Sequence, residues 1–94
     1  MITRIVKMEF KMDQIELFLE KFNRHAENMK TVPGYVSLQI IKDIKEPNII
    51  FTISEWRSEE DLDTYRSSAL FKQIWSEVKP LFCAKAQAWT TQSL

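Results

Sequence analysis

The stretch EWRSEEDLDTYRSSALFKQIW, residues 55–75, reads as three pieces in succession: the end of a strand, an acidic helix and an aromatic-rich apolar run. Ser58, with Asp61 three positions on, marks a helix start, and Glu59, Glu60 and Asp61 suit the positive end of the helix dipole. Leu62 and Tyr65 point inward. Ser67-Ser68 predicts a break, after which Leu70, Phe71, Ile74, Trp75 and Val78 continue an apolar stripe until Pro80 stops it. Leu70, Ile74 and Val78 suffice to seal a core, which leaves Trp56 and Tyr65, near the break, as the expected walls of a pocket.

Working outward, Ile2 to Phe10 alternates, with Ile2, Val6, Met8 and Phe10 on one face and Arg4 as the single charge among them. Asp13 and Glu16 have capping-box spacing, and Ile15, Phe18, Leu19, Phe22, Ala26 and Met29 then recur at helical intervals until Val32-Pro33-Gly34 ends the helix. Tyr35 to Asp43 and Ile49 to Trp56 form a predicted hairpin around Lys45-Glu46-Pro47-Asn48, with Val36, Leu38 and Ile40 sharing a face. Ala84 to Thr91 is the closing strand. The order β-α-β-β-α-β predicts an α+β, ferredoxin-like fold: a four-stranded antiparallel sheet with its helices on one face. Ile49, Phe51 and Ile53 alternate with Ile50 and Trp56, so the other sheet face also carries apolar groups, and a homodimer joined sheet to sheet is expected to cover it.

Ninety-four residues are expected to form one domain, since a chain this short buries only about 65% of its unfolded surface. Thirteen basic and thirteen acidic side chains, interleaved, leave no basic stripe for nucleic acid. No apolar run is long enough to span a bilayer, and the N-terminus alternates where a signal peptide is continuously apolar, so a cytoplasmic chain is expected, with no membrane partner. A single glycine, Gly34, excludes glycine-rich phosphate loops and makes nucleotide cofactors unexpected. The lone Cys83 is expected to pack as a small apolar residue, and the carboxylates Glu59 to Asp63 spread around their helix and do not resemble a metal site.

Taken together, the element order, the Pro33-Gly34 turn, Glu55-Trp56 followed by Ser58-Glu59-Glu60-Asp61-Leu62, and Tyr65-Arg66-Ser67-Ser68-Ala69-Leu70-Phe71 resemble the antibiotic biosynthesis monooxygenase (ABM) superfamily of dimeric α+β barrels. The resemblance spans nearly the whole chain. It implies a small aromatic molecule bound between helices and sheet. It also implies a cofactor-independent monooxygenase acting with dioxygen on an aromatic or quinol-type substrate, as several members need neither metal nor flavin. Haem-degrading members resemble this chain at a segment that here reads Tyr65, Ser68, Phe71 and Trp75. The position of their iron-ligating His is Trp75, whose indole cannot coordinate, and strand 1 lacks their Asn, so haem degradation is not expected.

Such chemistry needs a dry aromatic pocket, a way to remove a proton and a donor for the charge produced. Tyr65 is the candidate hydroxyl, set against the alternative of a core aromatic with a satisfied tip. His25, the chain's one imidazole, is the candidate base, although it lies on the flank of its helix's apolar stripe. Trp56, Phe22, Phe71 and Trp75 are candidate substrate-binding aromatics, the last three with core packing as the plainer reading. Arg4 must meet either a carboxylate, with Glu55 the nearest choice, or an anionic substrate group; the ion pair is the favoured account. Two rival functions stand beside this one: a small-molecule-binding or sensing dimer that uses the same cleft without turnover, and an interaction module whose bare sheet face recruits another protein.

Overall fold

In the computed structural model, which describes residues 1–94, β1 (Ile2–Glu9) lies at the centre of the sheet and pairs antiparallel with both β3 (Ile49–Trp56) and β4 (Gln87–Gln92). β2 (Tyr35–Lys42) pairs antiparallel with β3, giving the order β2-β3-β1-β4. This is the ferredoxin-like arrangement that the element order predicts. Three helices follow their strands: α1 (Ile15–Met29), α2 (Glu59–Arg66) and α3 (Ala69–Val78). They cover one face, where Val6 and Met8 of β1 and Ile50 and Trp56 of β3 pack with Phe18, Phe22 and Met29 of α1, Leu62 and Tyr65 of α2, and Ile74 and Val78 of α3.

Local differences from the sequence reading have simple causes. Asp13 falls in a short 3-10 turn (Met12–Gln14) ahead of α1, and no side chain caps that helix, so the capping box does not form. A β-bulge between Tyr35 and Ser37 inserts one residue, which turns Tyr35 to the helix side opposite Trp56 and leaves Val36 exposed. β4 begins later than expected, because residues 81–83 first pair with the end of β1. There, Lys11 N–H donates to the Leu81 carbonyl at 3.0 Å and Cys83 N–H to the Glu9 carbonyl at 2.9 Å, and a bend at 83–84 leads into β4.

Gly34 holds φ +86°, and an added Cβ would overlap the side chain of Asp61 in the first turn of α2. Both the left-handed backbone and the close approach require glycine. Gly34→Ala is therefore expected to lower stability by about 2 kcal/mol in urea unfolding.

The uncovered sheet face carries Ile5 between Ile53 and Trp89 across the ladders, with Phe51 beside Ile41. Ile41 and Trp89 are exposed, and every residue of β4 is exposed. No helix is long and apolar enough to cross a membrane.

Candidate functional site

The turn between α2 and α3 places the site. Ser58 Oγ accepts the Asp61 N–H at 3.1 Å and starts α2 as its spacing predicts. At the break, Ser68 Oγ donates to the Tyr65 carbonyl at 2.6 Å and accepts the Phe71 N–H at 3.2 Å, so one hydroxyl ends α2 and caps α3. The redirected chain sets Phe71 edge-on to Tyr65, with centroids 5.3 Å apart, and brings Trp75 to 5.8 Å from Phe71. On its other side Tyr65 stacks on Trp56 at 4.9 Å. The aromatics thus form a row running from the core at Trp56 to the partly exposed Trp75 and Phe82.

Beside this row, between the helices and β1 and β3, lies a narrow cavity with about 60 Å³ of free space, walled by Phe22, Tyr65, Phe71, Ile74 and Trp75 and floored by Arg4, Val6, Thr52 and Ser54. It adjoins a groove of about 770 Å³ between α3 and residues 82–88. Arg4, Val6, Arg66, Phe71 and Trp75 belong to both, so cavity and groove are the inner and outer parts of one cleft. The inner part is too small for an aromatic ring, while the groove falls in the usual range of ligand sites, roughly 300–1,000 Å³.

Burial pushes the Tyr65 hydroxyl up to about 12, so at neutral pH it is a neutral O–H donor. It makes no hydrogen bond to the protein, and because no sealed polar side-chain atom lacks a partner, this hydroxyl is not sealed from solvent; Tyr65 itself lines the inner cavity. Arg4 differs from expectation. Its Nη1 donates to Thr90 Oγ1 at 2.7 Å, and none of the ion pairs in the protein includes it. Strand alternation explains why Glu55 is not its partner: Arg4 faces Ser54 on the helix side, whereas Glu55 sits opposite Thr3 on the other face and accepts from Ser37 Oγ at 3.1 Å. Burial, and next the positive charge of Arg66, hold the Arg4 guanidinium below its ordinary value, with Asp63 opposing from beyond ion-pair distance.

Of the sequence candidates, the fold brings Tyr65, Phe22, Phe71, Trp75 and Arg4 together. Trp56 stands outside the wall: it is fully buried behind Tyr65, and its Nε1–H donates to Ser54 Oγ at 2.9 Å. His25 is also absent from the cleft, because its position on α1 turns it toward α3, where Nε2 donates to Glu77 Oε2 at 2.9 Å. Cys83 is exposed rather than packed. Sequence reasoning missed Arg66, Thr52 and Ser54; the two polar residues between inward-facing Ile50 and Trp56 were a readable sign that the sheet floor there is not solid core.

The His25–Glu77 pair joins α1 to α3. The hydrogen bond from His25 is the main influence holding the Glu77 carboxyl below its ordinary 4.5. A depressed carboxylate stabilises the fold above the unfolded-state value, and that contribution is lost as pH falls through the folded one. Glu77→Gln is thus expected to flatten the acid limb of stability below about pH 4.5, measured by urea unfolding across a pH series.

The family model described as antibiotic biosynthesis monooxygenase matches residues 1–75, which include β1 to β3, α1, α2 and most of α3. The chain belongs to that family. Among solved structures, an antibiotic biosynthesis monooxygenase superposes with a TM-score of 0.90 at 17% identity, covering 100% of this chain and 99% of its own. A conserved protein from Methanosarcina mazei Go1 superposes at 0.91 with 19% identity, covering 99% and 93%. At such identities the ABM likeness is one of fold. No curated protein matches the chain.

Proposed function

We propose that the protein is a cofactor-independent monooxygenase that oxidises a small aromatic or quinol-type molecule with dioxygen. The observation that carries this reading is the unpartnered, protonated Tyr65 hydroxyl at the wall of an aromatic cleft whose floor and mouth hold Arg4 and Arg66. A planar substrate lies in the groove against Phe71 and Trp75, with a ring oxygen toward Tyr65. The two guanidinium charges favour the ring's anion, so the proton can leave to solvent without a protein base, and the Tyr65 O–H donates to the oxygen that carries the charge. The electron-rich anion passes an electron to dioxygen. One oxygen atom then bonds to a ring carbon and the other leaves as water: a quinol plus dioxygen gives a hydroxyquinone and water, a balance that needs no further reductant.

The test is oxygen uptake with a panel of quinols and polyphenols, each corrected for autoxidation. Saturable, protein-dependent uptake with one of them is the expected result. A second reading, a binding or sensing dimer, draws on the lack of any carboxylate or imidazole in the cleft wall. Tight binding of an aromatic that emerges unchanged from aerobic incubation would favour it.

The sheet face bearing Ile5, Ile53, Phe51, Ile41 and Trp89 supports a homodimer in either reading. Sedimentation velocity should find twice the chain mass at micromolar concentration, and Ile5→Glu should shift the protein to monomer. A wild-type monomer at all concentrations would rule the dimer out.

A further inference from the structure

The chain has no net charge, yet the groove wall carries four cations, Arg4, Arg66, Lys79 and Lys85, and no carboxylate. None of the four enters an ion pair. Arg66 closes α2, where a cation suits the negative end of the helix dipole, but the dipole does not account for the second guanidinium beside it. Arg4 is partly buried on the apolar face of β1, held by one neutral hydroxyl, with Arg66 as a repelling neighbour. The one opposing charge, Asp63, stands beyond ion-pair distance, so the partly desolvated Arg4 guanidinium has no direct counter-charge, and an anion between it and the exposed Arg66 supplies one.

We propose that Arg4 and Arg66 make the cleft selective for an aromatic carboxylic acid, with its ring against Phe71 and Trp75 and its carboxylate between the two guanidiniums. A carboxylate conjugated to a ring lies in the ring plane. It therefore enters the groove in the plane of the ring and presents two oxygens to planar donor forks. Lys79 and Lys85, farther along the groove, add attraction on approach. This inference specifies the substrate class of the cleft proposed above and rests on that cleft being the ligand site, but not on turnover.

The test is isothermal titration of the protein under nitrogen with 2-naphthoate and with its neutral isostere 2-naphthamide. Naphthoate should bind at least about tenfold more tightly. Arg66→Gln and Arg4→Gln should each remove most of that preference by weakening naphthoate far more than naphthamide, and raising the salt concentration should narrow it. Equal affinities in the wild type, no measurable naphthoate binding, or an equal loss for both ligands in Arg66→Gln would overturn the proposal. Because no oxygen is present, these outcomes are independent of whether the bound molecule is ever oxidised.

Discussion

Tyr65→Phe is expected to lower kcat about 100-fold while the protein remains folded, the size of effect seen when one donor to a developing oxyanion is removed. The substitution keeps the ring that stacks on Trp56 and meets Phe71 edge-on, and it deletes a hydroxyl without a protein partner. Nothing in the fold depends on that oxygen. The measurement is oxygen uptake with the best quinol, alongside urea unfolding to confirm unchanged stability near neutral pH. Alkaline pH supplies a second readout. Burial penalises the phenolate and not the neutral phenol, so with the folded value raised from 10.0 to about 12 the fold keeps its full stability below the unfolded value and loses stability as pH rises through it toward the folded one. Tyr65→Phe should therefore remove the part of the alkaline stability loss that falls between those two values. Unchanged turnover would show that the hydroxyl does not touch the reacting oxygen.

Trp56→Ala is expected to be among the most destabilising single changes, by about 3–5 kcal/mol, a large share of the roughly 5–15 kcal/mol that holds a small domain together. Trp56 has no exposed surface, stacks on Tyr65, meets Tyr35 edge-on and donates its indole N–H to Ser54. Removing it leaves a void behind the cleft wall. Trp56→Phe keeps an aromatic partner for Tyr65 and loses the hydrogen bond and part of the volume, so a loss of about 1–3 kcal/mol is expected. Urea unfolding followed by circular dichroism separates the two. If Trp56→Ala were mild while ligand binding fell, Trp56 would be a wall of the cleft after all.

Strand and helix order, the α2–α3 break and the glycine turn were legible in the sequence because each rests on local chemistry. Period-two and period-3.6 patterns, a serine with an acid three residues on, and a lone Gly after Pro act within a few residues of themselves. The bulge at Tyr35–Ser37 and the late start of β4 were not, because both depend on which residues of a distant strand stand opposite.

The site divides along the same line. Residue types alone identified the aromatic row and the oddity of Arg4, since a charge on an apolar strand face demands an explanation wherever the strand goes. What that charge meets depends on register and strand parity: Glu55, the reasonable partner by sequence, stands on the opposite side of the sheet. Trp56 and Tyr65, similar candidates in the sequence, separate only when packed, one wholly enclosed and the other at the cleft wall. His25 likewise turns to α3 and Glu77 rather than to the cleft, because a few tens of degrees around a helix axis decide which neighbour a flanking residue faces. The sequence by itself determined the elements and the supply of aromatic and cationic side chains. The meeting of Tyr65, Arg4 and Arg66 in one cleft was decided only by the tertiary structure, because it comes from long-range strand pairing and helix docking that no local pattern encodes.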